Sequence, residues 1–153
     1  MRVDYFTAAP GVARAMMGLE GYLNKEAAGD DKLPKRLLEL VKIRASQLNQ
    51  CAYCLDMHTK DARALGETEQ RIYALSAWRE TPFFDPRERA ALGWTEALTR
   101  LEPGAVTEDL FEQVHAQFND RELTDLTFAI CAINAWNRFG VAFEPAVGSY
   151  SPT

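Results

Sequence analysis

The feature that most constrains this chain is the stretch at residues 51–58, which has the sequence CAYCLDMH. Positions i, i+3 and i+7 of an α-helix share a face, so Cys51, Cys54 and His58 would align along about two turns. Two thiols at this spacing can cycle between dithiol and disulfide when one thiolate attacks, the other resolves, and a nearby base deprotonates the attacker. Residues 56–64 contain no Pro or Gly. The pattern therefore predicts a helix that begins near Cys51, where free N–H groups favour a thiolate.

Length and charge narrow the class of protein. The 153 residues suffice for one domain with a sizeable core, and we predict a single domain over residues 1–153. The net charge is −5 and no basic run occurs, which argues against nucleic acid and anionic membranes as partners. No stretch approaches the roughly 20 apolar residues of a membrane span, and no signal peptide is evident. We predict a cytoplasmic protein, in which a CxxC is more often redox-active or metal-binding than a structural cross-link.

The apolar residues predict an all-α fold of six to eight helices, because nearly every segment has helical spacing and none alternates like a strand. Pro, Gly and capping residues set the expected boundaries. The predicted helices cover residues 11–27, 33–48, 51–65, 68–78, 85–101, 107–118 and 120–139. Gly29-Asp30-Asp31 is expected to break the first of these helices, and Gly140 to end the last. The tail, residues 145–153, is expected to be extended or frayed.

Residues 126–136 within the last helix are apolar nearly all round. A helix without a polar face is buried on all sides, so this stretch is predicted to be the central helix, with Cys131 as a packed core thiol. The other helices look amphipathic and must also cover their own apolar faces. We therefore expect a second subunit to supply part of the cover, which predicts a homo-oligomer.

The cysteine pair has alternative interpretations. Two buried thiols could have this spacing by chance. A zinc site is a stronger alternative, but zinc needs four ligands and Cys51, Cys54 and His58 supply three. The only other histidine, His115, is distant in the sequence and is expected to be structural. Covalent haem attachment needs a histidine directly after the second cysteine, where this chain has Leu55. We predict neither a metal nor a cofactor.

The role predicted for Glu39 depends on the fold more than that of any other candidate residue. It lies among Lys35, Arg36 and Lys42, so an exposed ion pair is one interpretation. If the chain folds back at residues 49–50, however, antiparallel packing brings Glu39 and His58 to similar heights. The carboxylate could then orient the imidazole or relay a proton.

Together these residues resemble a known motif. Glu39, a twelve-residue step, Cys51-x-x-Cys54 and then x-x-x-His58 are similar to the proton-relay and dithiol motif of the alkylhydroperoxidase D (AhpD)-like family, within the carboxymuconolactone decarboxylase superfamily. The likeness covers roughly residues 5–145. It implies an AhpD-like helical fold with the CxxC at the start of a central helix, and assembly as a trimer or hexamer. The sequence departs from typical AhpD at Tyr53, where those proteins carry a histidine.

The resemblance also implies an activity and the role of each residue. Cys54 would attack the peroxide, Cys51 would resolve it, and Glu39 and His58 would relay protons. The predicted function is that of a thiol-dependent alkylhydroperoxidase acting on a small hydroperoxide and reduced by a dithiol donor, either lipoamide or a thioredoxin-like protein. Two alternatives stay open. One is a non-catalytic redox sensor or partner protein, and the other is a decarboxylase-type enzyme of the same superfamily, which would not need the thiols.

Overall fold

The computed structural model describes residues 1–29 and 32–152, and the regular structure there is helical. Eight α-helices and no β-strand in these residues confirm the predicted all-α fold. Of the break predicted at residues 29–31, residues 30 and 31 lie outside the described part of the chain. The elements are α1 (Tyr5–Ala8), α2 (Pro10–Tyr22), a π-helical turn (Leu23–Ala27), α3 (Lys35–Asn49), α4 (Ala52–Ala64), α5 (Glu69–Ala74), a 3₁₀ segment (Leu75–Glu80), α6 (Pro86–Arg100), α7 (Glu108–His115) and α8 (Asp120–Phe143).

Capping boxes fix the starts of two of the long helices. At α6, the Asp85 side chain accepts a hydrogen bond from the Glu88 amide while the Glu88 carboxylate accepts one from the Asp85 amide, with Pro86 at the first helical position, as predicted. Asn119 and Glu122 form the same arrangement at the start of α8. An N-cap typically contributes about 1 kcal/mol to helix stability. Because the capping partners lie only three residues apart in the sequence, local sequence favours both of these helix starts.

Three of the helices differ from the prediction. The helix predicted over 11–27 changes from α to π at Leu23. The helix predicted over 68–78 is a short α-helix followed by a 3₁₀ segment with a kink at Ala77. The last helix does not end at Gly140 but continues through it, and Glu144, in a left-handed conformation with φ 48°, terminates it. Packing around Gly140, described below, explains the third difference.

Helix α8 lies in the middle of the fold and packs against α2, α3, α4, α6 and α7. Leu126, Ile130 and Ile133 on its inner side are buried. Phe128 on the opposite side is only half-buried, and Cys131 is exposed. The prediction of Cys131 as a packed core thiol was therefore wrong. Its apolar neighbourhood lies on a side of α8 that the described residues cover only in part.

Helix α8 is also the one helix in the described residues whose length and composition would allow it to span a membrane. The sequence predicts no such stretch, so this feature differs from the prediction. Its N-terminal turn carries Asp120 and Glu122, and its inner side is buried against α3 and α6. This is the environment of a core helix in a soluble domain. Location in the cytoplasm stays a prediction.

A buried polar network joins the end of α3 to α8. Asn137 donates to the Ser46 hydroxyl at 2.9 Å, and Asn49 donates to the side-chain oxygens of Asn137 and Asn134 at 2.9 and 3.0 Å. Asn134 in turn donates to the Thr99 hydroxyl on α6 at 3.0 Å. A slip of one helical turn, about 5.4 Å, would break every one of these bonds. The network therefore fixes the position of α3 relative to α8 just before the chain enters α4, the helix that begins at the two cysteines.

Candidate active site

The two cysteines lie at the start of α4, directly after a sharp reversal of the chain. Gln50 has φ 55°, a left-handed conformation that turns the chain out of α3, so the predicted fold-back at residues 49–50 is present. Cys51 is the N-cap of α4, and its sulfur accepts a hydrogen bond from the Cys54 amide at 3.4 Å. The two cysteines form a disulfide, with Cα atoms 5.4 Å apart. Both are buried, so neither sulfur is open to bulk solvent.

Cys54 lines a cavity of about 550 Å³, whereas Cys51 lies behind it and does not. The cavity is formed by the first two helices, by α3, α4 and α8, and by the C-terminal tail. Its walls combine aromatic side chains with several charged ones. The aromatic residues are Tyr5, Phe6, Tyr53, Trp136 and Tyr150, and the charged residues are Glu20, Glu39, Lys42 and Asp61.

Glu39 and His58 form a buried pair in this cavity. Oε2 of Glu39 lies 2.8 Å from Nδ1 of His58. The other carboxylate oxygen of Glu39 accepts a hydrogen bond from Lys42 at 3.4 Å, and Lys42 also lies 3.6 Å from a carboxylate oxygen of Glu20. Because Glu39 and Lys42 are both buried, the exposed ion pair considered for Glu39 is wrong. Antiparallel packing of α3 and α4 produces the contact between Glu39 and His58.

The ionisation of Glu39 indicates which ring nitrogen of His58 donates the hydrogen bond between them. Burial alone would raise the pKa of Glu39, but the hydrogen bond and charge of His58 and the ammonium of Lys42 outweigh it, so the pKa lies below its usual value. Burial would likewise lower the pKa of Lys42, but Glu39 and Glu20 raise it overall. An ionised Glu39 can only accept hydrogen bonds. The Nδ1 atom of His58 is therefore the donor in this contact, and Nε2 is the ring nitrogen that faces no carboxylate of Glu39 and can exchange a proton with another group.

The structure brings three of the four predicted site residues, Cys54, His58 and Glu39, to one cavity and places Cys51 within bonding distance behind them. Their catalytic roles stay predictions. His115 lies elsewhere, where its Nε2 is 2.7 Å from the exposed carboxylate of Asp120.

The zinc alternative required both sulfurs as ligands, and here they are bonded to each other. The residues in the described chain that come nearest to a metal-ligand set are Glu39, His58 and Asp61, whose ligand atoms lie within 4.8 Å of one another. Glu39 already holds the ammonium of Lys42. A cation at this position would face that charge directly, so the set fits a metal poorly.

Gly140 is a site residue that the sequence analysis misinterpreted as a helix end. A Cβ atom at this position would lie 2.5 Å from Sγ of Cys51 and 3.4 Å from Sγ of Cys54. Position 140 therefore requires glycine for steric reasons, because a residue with a Cβ atom would clash with the Cys51 sulfur at this separation of α8 and α4. A glycine inside an otherwise continuous helical pattern was the available signal.

We expect Gly140→Ala to lower the melting temperature and to slow formation of the Cys51–Cys54 disulfide. Overpacking of this kind costs about 1–3 kcal/mol. Gly18→Ala is the matched control, because it also lies within a helix and a Cβ there meets nothing within 4 Å. The control should be neutral or stabilise by up to about 1 kcal/mol. Thermal unfolding and thiol-loss kinetics measure both effects, and equal behaviour of the two variants would contradict the steric role of Gly140.

The C-terminal tail is a second feature that the sequence analysis missed. Residues 145–152 are not helical, but they fold back onto α4. The Tyr150 hydroxyl donates to Asp61 at 2.7 Å, and Lys60 donates to the Tyr150 carbonyl at 2.9 Å. The tail was predicted to be extended or frayed. Its non-helical path agrees with the first alternative, and the second is wrong for these residues because α4 presents polar side chains that bind the tail.

An all-helical fold with a cysteine pair at the start of α4, beside a buried Glu–His pair, is the arrangement of an AhpD-like protein. The chain belongs to the carboxymuconolactone decarboxylase family, whose model matches residues 10–97. The uncharacterized protein YdfG of Bacillus subtilis (strain 168) is 42% identical over 141 residues, which cover 92% of each chain.

Two solved structures have the same fold. A protein of unknown function from Agrobacterium tumefaciens, proposed to be the antioxidant defence protein AhpD, is 42% identical with a TM-score of 0.86, and the match covers 99% of this chain and 98% of that one. An uncharacterized peroxidase-related protein from Silicibacter sp. TM1040 is 26% identical with a TM-score of 0.76, and the match covers 89% of this chain and 70% of that one. These likenesses confirm the predicted AhpD-like helical fold.

Proposed function

We propose that this protein is a thiol-dependent peroxidase that reduces small organic hydroperoxides with the Cys51–Cys54 pair. The observation that carries the proposal is the position of Cys54, which lines the cavity one helical turn from His58, while Cys51 lies bonded behind it. Glu39 is hydrogen-bonded to the imidazole at 2.8 Å. The similarity to proteins described as a proposed AhpD and as peroxidase-related supports the same class of reaction.

In the first step, Nε2 of His58 accepts the proton of the Cys54 thiol, and the Glu39 carboxylate stabilises the resulting imidazolium. The thiolate then attacks the terminal oxygen of the hydroperoxide, and the O–O bond breaks. The leaving alkoxide takes the proton back from His58 and departs as an alcohol. Cys54 is left as a sulfenic acid, having gained the oxygen that the hydroperoxide lost.

In the second step, the Cys51 thiol gives up its proton and its sulfur attacks the Cys54 sulfenic acid. The S–S bond forms, the S–O bond breaks, and the hydroxyl group takes up a proton and leaves as water, so the proton lost by Cys51 balances the one gained. The N-cap position of Cys51, where its sulfur accepts the Cys54 amide hydrogen bond, favours a thiolate for this attack. A dithiol donor, lipoamide or a thioredoxin-like protein, then returns the disulfide to two thiols by thiol–disulfide exchange and is itself oxidised.

A peroxidase assay with tert-butyl hydroperoxide and a panel of reductants tests the proposal, together with a thiol count on denatured protein before and after peroxide. We expect turnover that requires a dithiol, and the loss of two of the three thiols per chain. Reversible disulfide formation without turnover would instead support the redox sensor. Lactone activity retained in Cys54→Ser would support the decarboxylase-type enzyme.

The partly covered side of α8 supports the further proposal that the protein is a homo-oligomer, a trimer or a hexamer. On that side a largely apolar depression of about 520 Å³ is lined by Trp94, Phe111, Phe128 and Cys131, among others. A second copy that covers it would remove this apolar surface from water. Light scattering after size exclusion measures the particle mass. The mass of a single chain would contradict the proposal, and a dimer would contradict its threefold symmetry.

A further inference from the structure

The C-terminal tail is fastened along one side of α4, which also carries Cys54 and His58. The Gly148 amide donates to the Asp56 carboxylate at 3.1 Å. Lys60 binds the same carboxylate at 3.0 Å and donates to the Tyr150 carbonyl at 2.9 Å. The Tyr150 hydroxyl donates to Asp61 at 2.7 Å. Three residues of α4 thus hold the end of the chain in a defined path.

Only two residues of the tail segment 145–150 turn inward. Pro145 and Tyr150 are half-buried, and both line the cavity that contains Cys54, whereas residues 146–149 are exposed. The segment is therefore a strap that crosses the surface and inserts one residue at each end. The Tyr150 ring is the larger of the two and forms part of the wall near the Glu39–His58 pair.

The contact between Tyr150 and Asp61 also bears on the histidine. The ligand atoms of Asp61, His58 and Glu39 lie within 4.8 Å of one another, so Asp61 is a second carboxylate beside the imidazole. Burial first, and then the hydrogen bond to Asp61, raise the pKa of Tyr150 to about 12. The phenol therefore stays a donor at neutral pH and fixes one oxygen of Asp61.

We propose that Tyr150 is a size-selecting residue. The strap holds its ring across part of the cavity, so slender molecules reach Cys54 faster than bulky ones. Where this concerns hydroperoxides it rests on the proposed function. The substrate class it implies is a small organic hydroperoxide with a narrow carbon chain. Tyr150 does not itself exchange a proton with substrate in this scheme.

Alkylation of the reduced protein tests the proposal without any peroxide. Iodoacetamide is the slender probe and N-(1-pyrenyl)maleimide the bulky one, both uncharged, with glutathione in parallel to correct for reagent reactivity. Mass spectrometry of the peptide that contains Cys54 gives each rate. We expect Tyr150→Ala to raise the ratio of the maleimide rate to the iodoacetamide rate by about tenfold, a typical effect of pocket size on discrimination.

Two further variants make the outcome decisive. Tyr73→Ala is the matched control, because this tyrosine is 74% exposed on α5 and does not line the cavity, so its ratio should equal that of the native chain. Tyr150→Phe keeps the ring but loses the bond to Asp61, and its ratio should fall between those of the native chain and Tyr150→Ala. An unchanged ratio in Tyr150→Ala, or an equal acceleration with both probes, overturns the proposal.

Steady-state kinetics then separate this inference from the proposed function. In Tyr150→Ala, kcat/KM for cumene hydroperoxide should rise relative to that for hydrogen peroxide, mainly through KM. If no form of the protein turns over peroxide but the alkylation ratio still changes, the proposed function fails and the size-selecting role stands. If turnover occurs but neither ratio changes, the size-selecting role fails alone.

Discussion

Replacing Cys54 by serine is expected to reduce hydroperoxide turnover to the background rate of the reductant with peroxide. Cys54 is the sulfur that lines the cavity, and His58 lies one turn further along α4. A serine hydroxyl at this position has nearly the same size, but it cannot accept the peroxide oxygen as a sulfenic acid. The measurement is steady-state consumption of tert-butyl hydroperoxide with a dithiol reductant, beside circular dichroism to verify the fold.

Cys51→Ser provides the matched comparison. This variant keeps the sulfur that faces the cavity and loses the one behind it, so we expect a single round of reaction that stops at the sulfenic acid. Dimedone should then label Cys54 in Cys51→Ser, whereas Cys51 should stay unlabelled in Cys54→Ser. The reverse labelling pattern would mean that the attacking and resolving roles are exchanged.

The second large effect is expected in Glu39→Gln, which keeps the size of the side chain and removes its charge. General acid–base groups contribute about 10²–10⁴-fold to rate, and we expect kcat/KM to fall within this range. The structure adds a loss of stability, since Lys42 is buried and Glu20 would be left as its sole carboxylate partner. The melting temperature should therefore fall as well, and kinetics must be measured well below it.

Glu67→Gln separates the two effects. Glu67 is another buried carboxylate, bonded to Arg71 at 2.8 Å, but it does not line the cavity. This variant should lose stability and keep its activity. If Glu39→Gln retains full activity, or if Glu67→Gln loses as much activity as Glu39→Gln, the proton-relay role of Glu39 is wrong.

The lowered pKa of Glu39 also predicts how stability depends on pH. Its pKa in the folded protein lies below the ordinary value of 4.5, so the unfolded chain takes up the proton first as pH falls. The stability that ionised Glu39 contributes is fully present above pH 4.5 and is lost as pH falls through the folded value. Urea unfolding across this interval should show a smaller pH dependence in Glu39→Gln than in the native chain.

The central contacts of the site could be anticipated because they depend on local geometry. The spacing of Cys51, Cys54 and His58 defines one side of a helix, and a reversal at residues 49–50 is enough to bring Glu39 to the same height. Helix starts such as that of α6 are likewise determined by adjacent residues. Such local features can be predicted without knowledge of the rest of the fold.

The remaining site residues could not be anticipated because distant segments define them. Gly140 was interpreted as a helix end since glycine disfavours a helix interior by about 1 kcal/mol, but tertiary packing overrides that preference. Tyr150 reaches Asp61 across 89 residues of sequence. Periodicity marked the surroundings of Cys131 as apolar, but periodicity does not tell which side of a helix a neighbour covers.

The position of Lys42 between Glu20 and Glu39 has a consequence for the molecules that can enter. The charged side chains of the cavity are three carboxylates, Glu20, Glu39 and Asp61, and one ammonium, so with a neutral His58 the formal sum is +1 − 3 = −2. Transfer of the Cys54 proton to His58 leaves this sum unchanged, because the charges of the thiolate and the imidazolium cancel. Enclosed walls strengthen this field, so glutathione and fatty-acid hydroperoxides, which carry carboxylates, meet more repulsion than dithiothreitol or lipoamide, whose only charge is that of the attacking thiolate. Added salt screens the repulsion, so it should accelerate reduction by glutathione more than reduction by dithiothreitol.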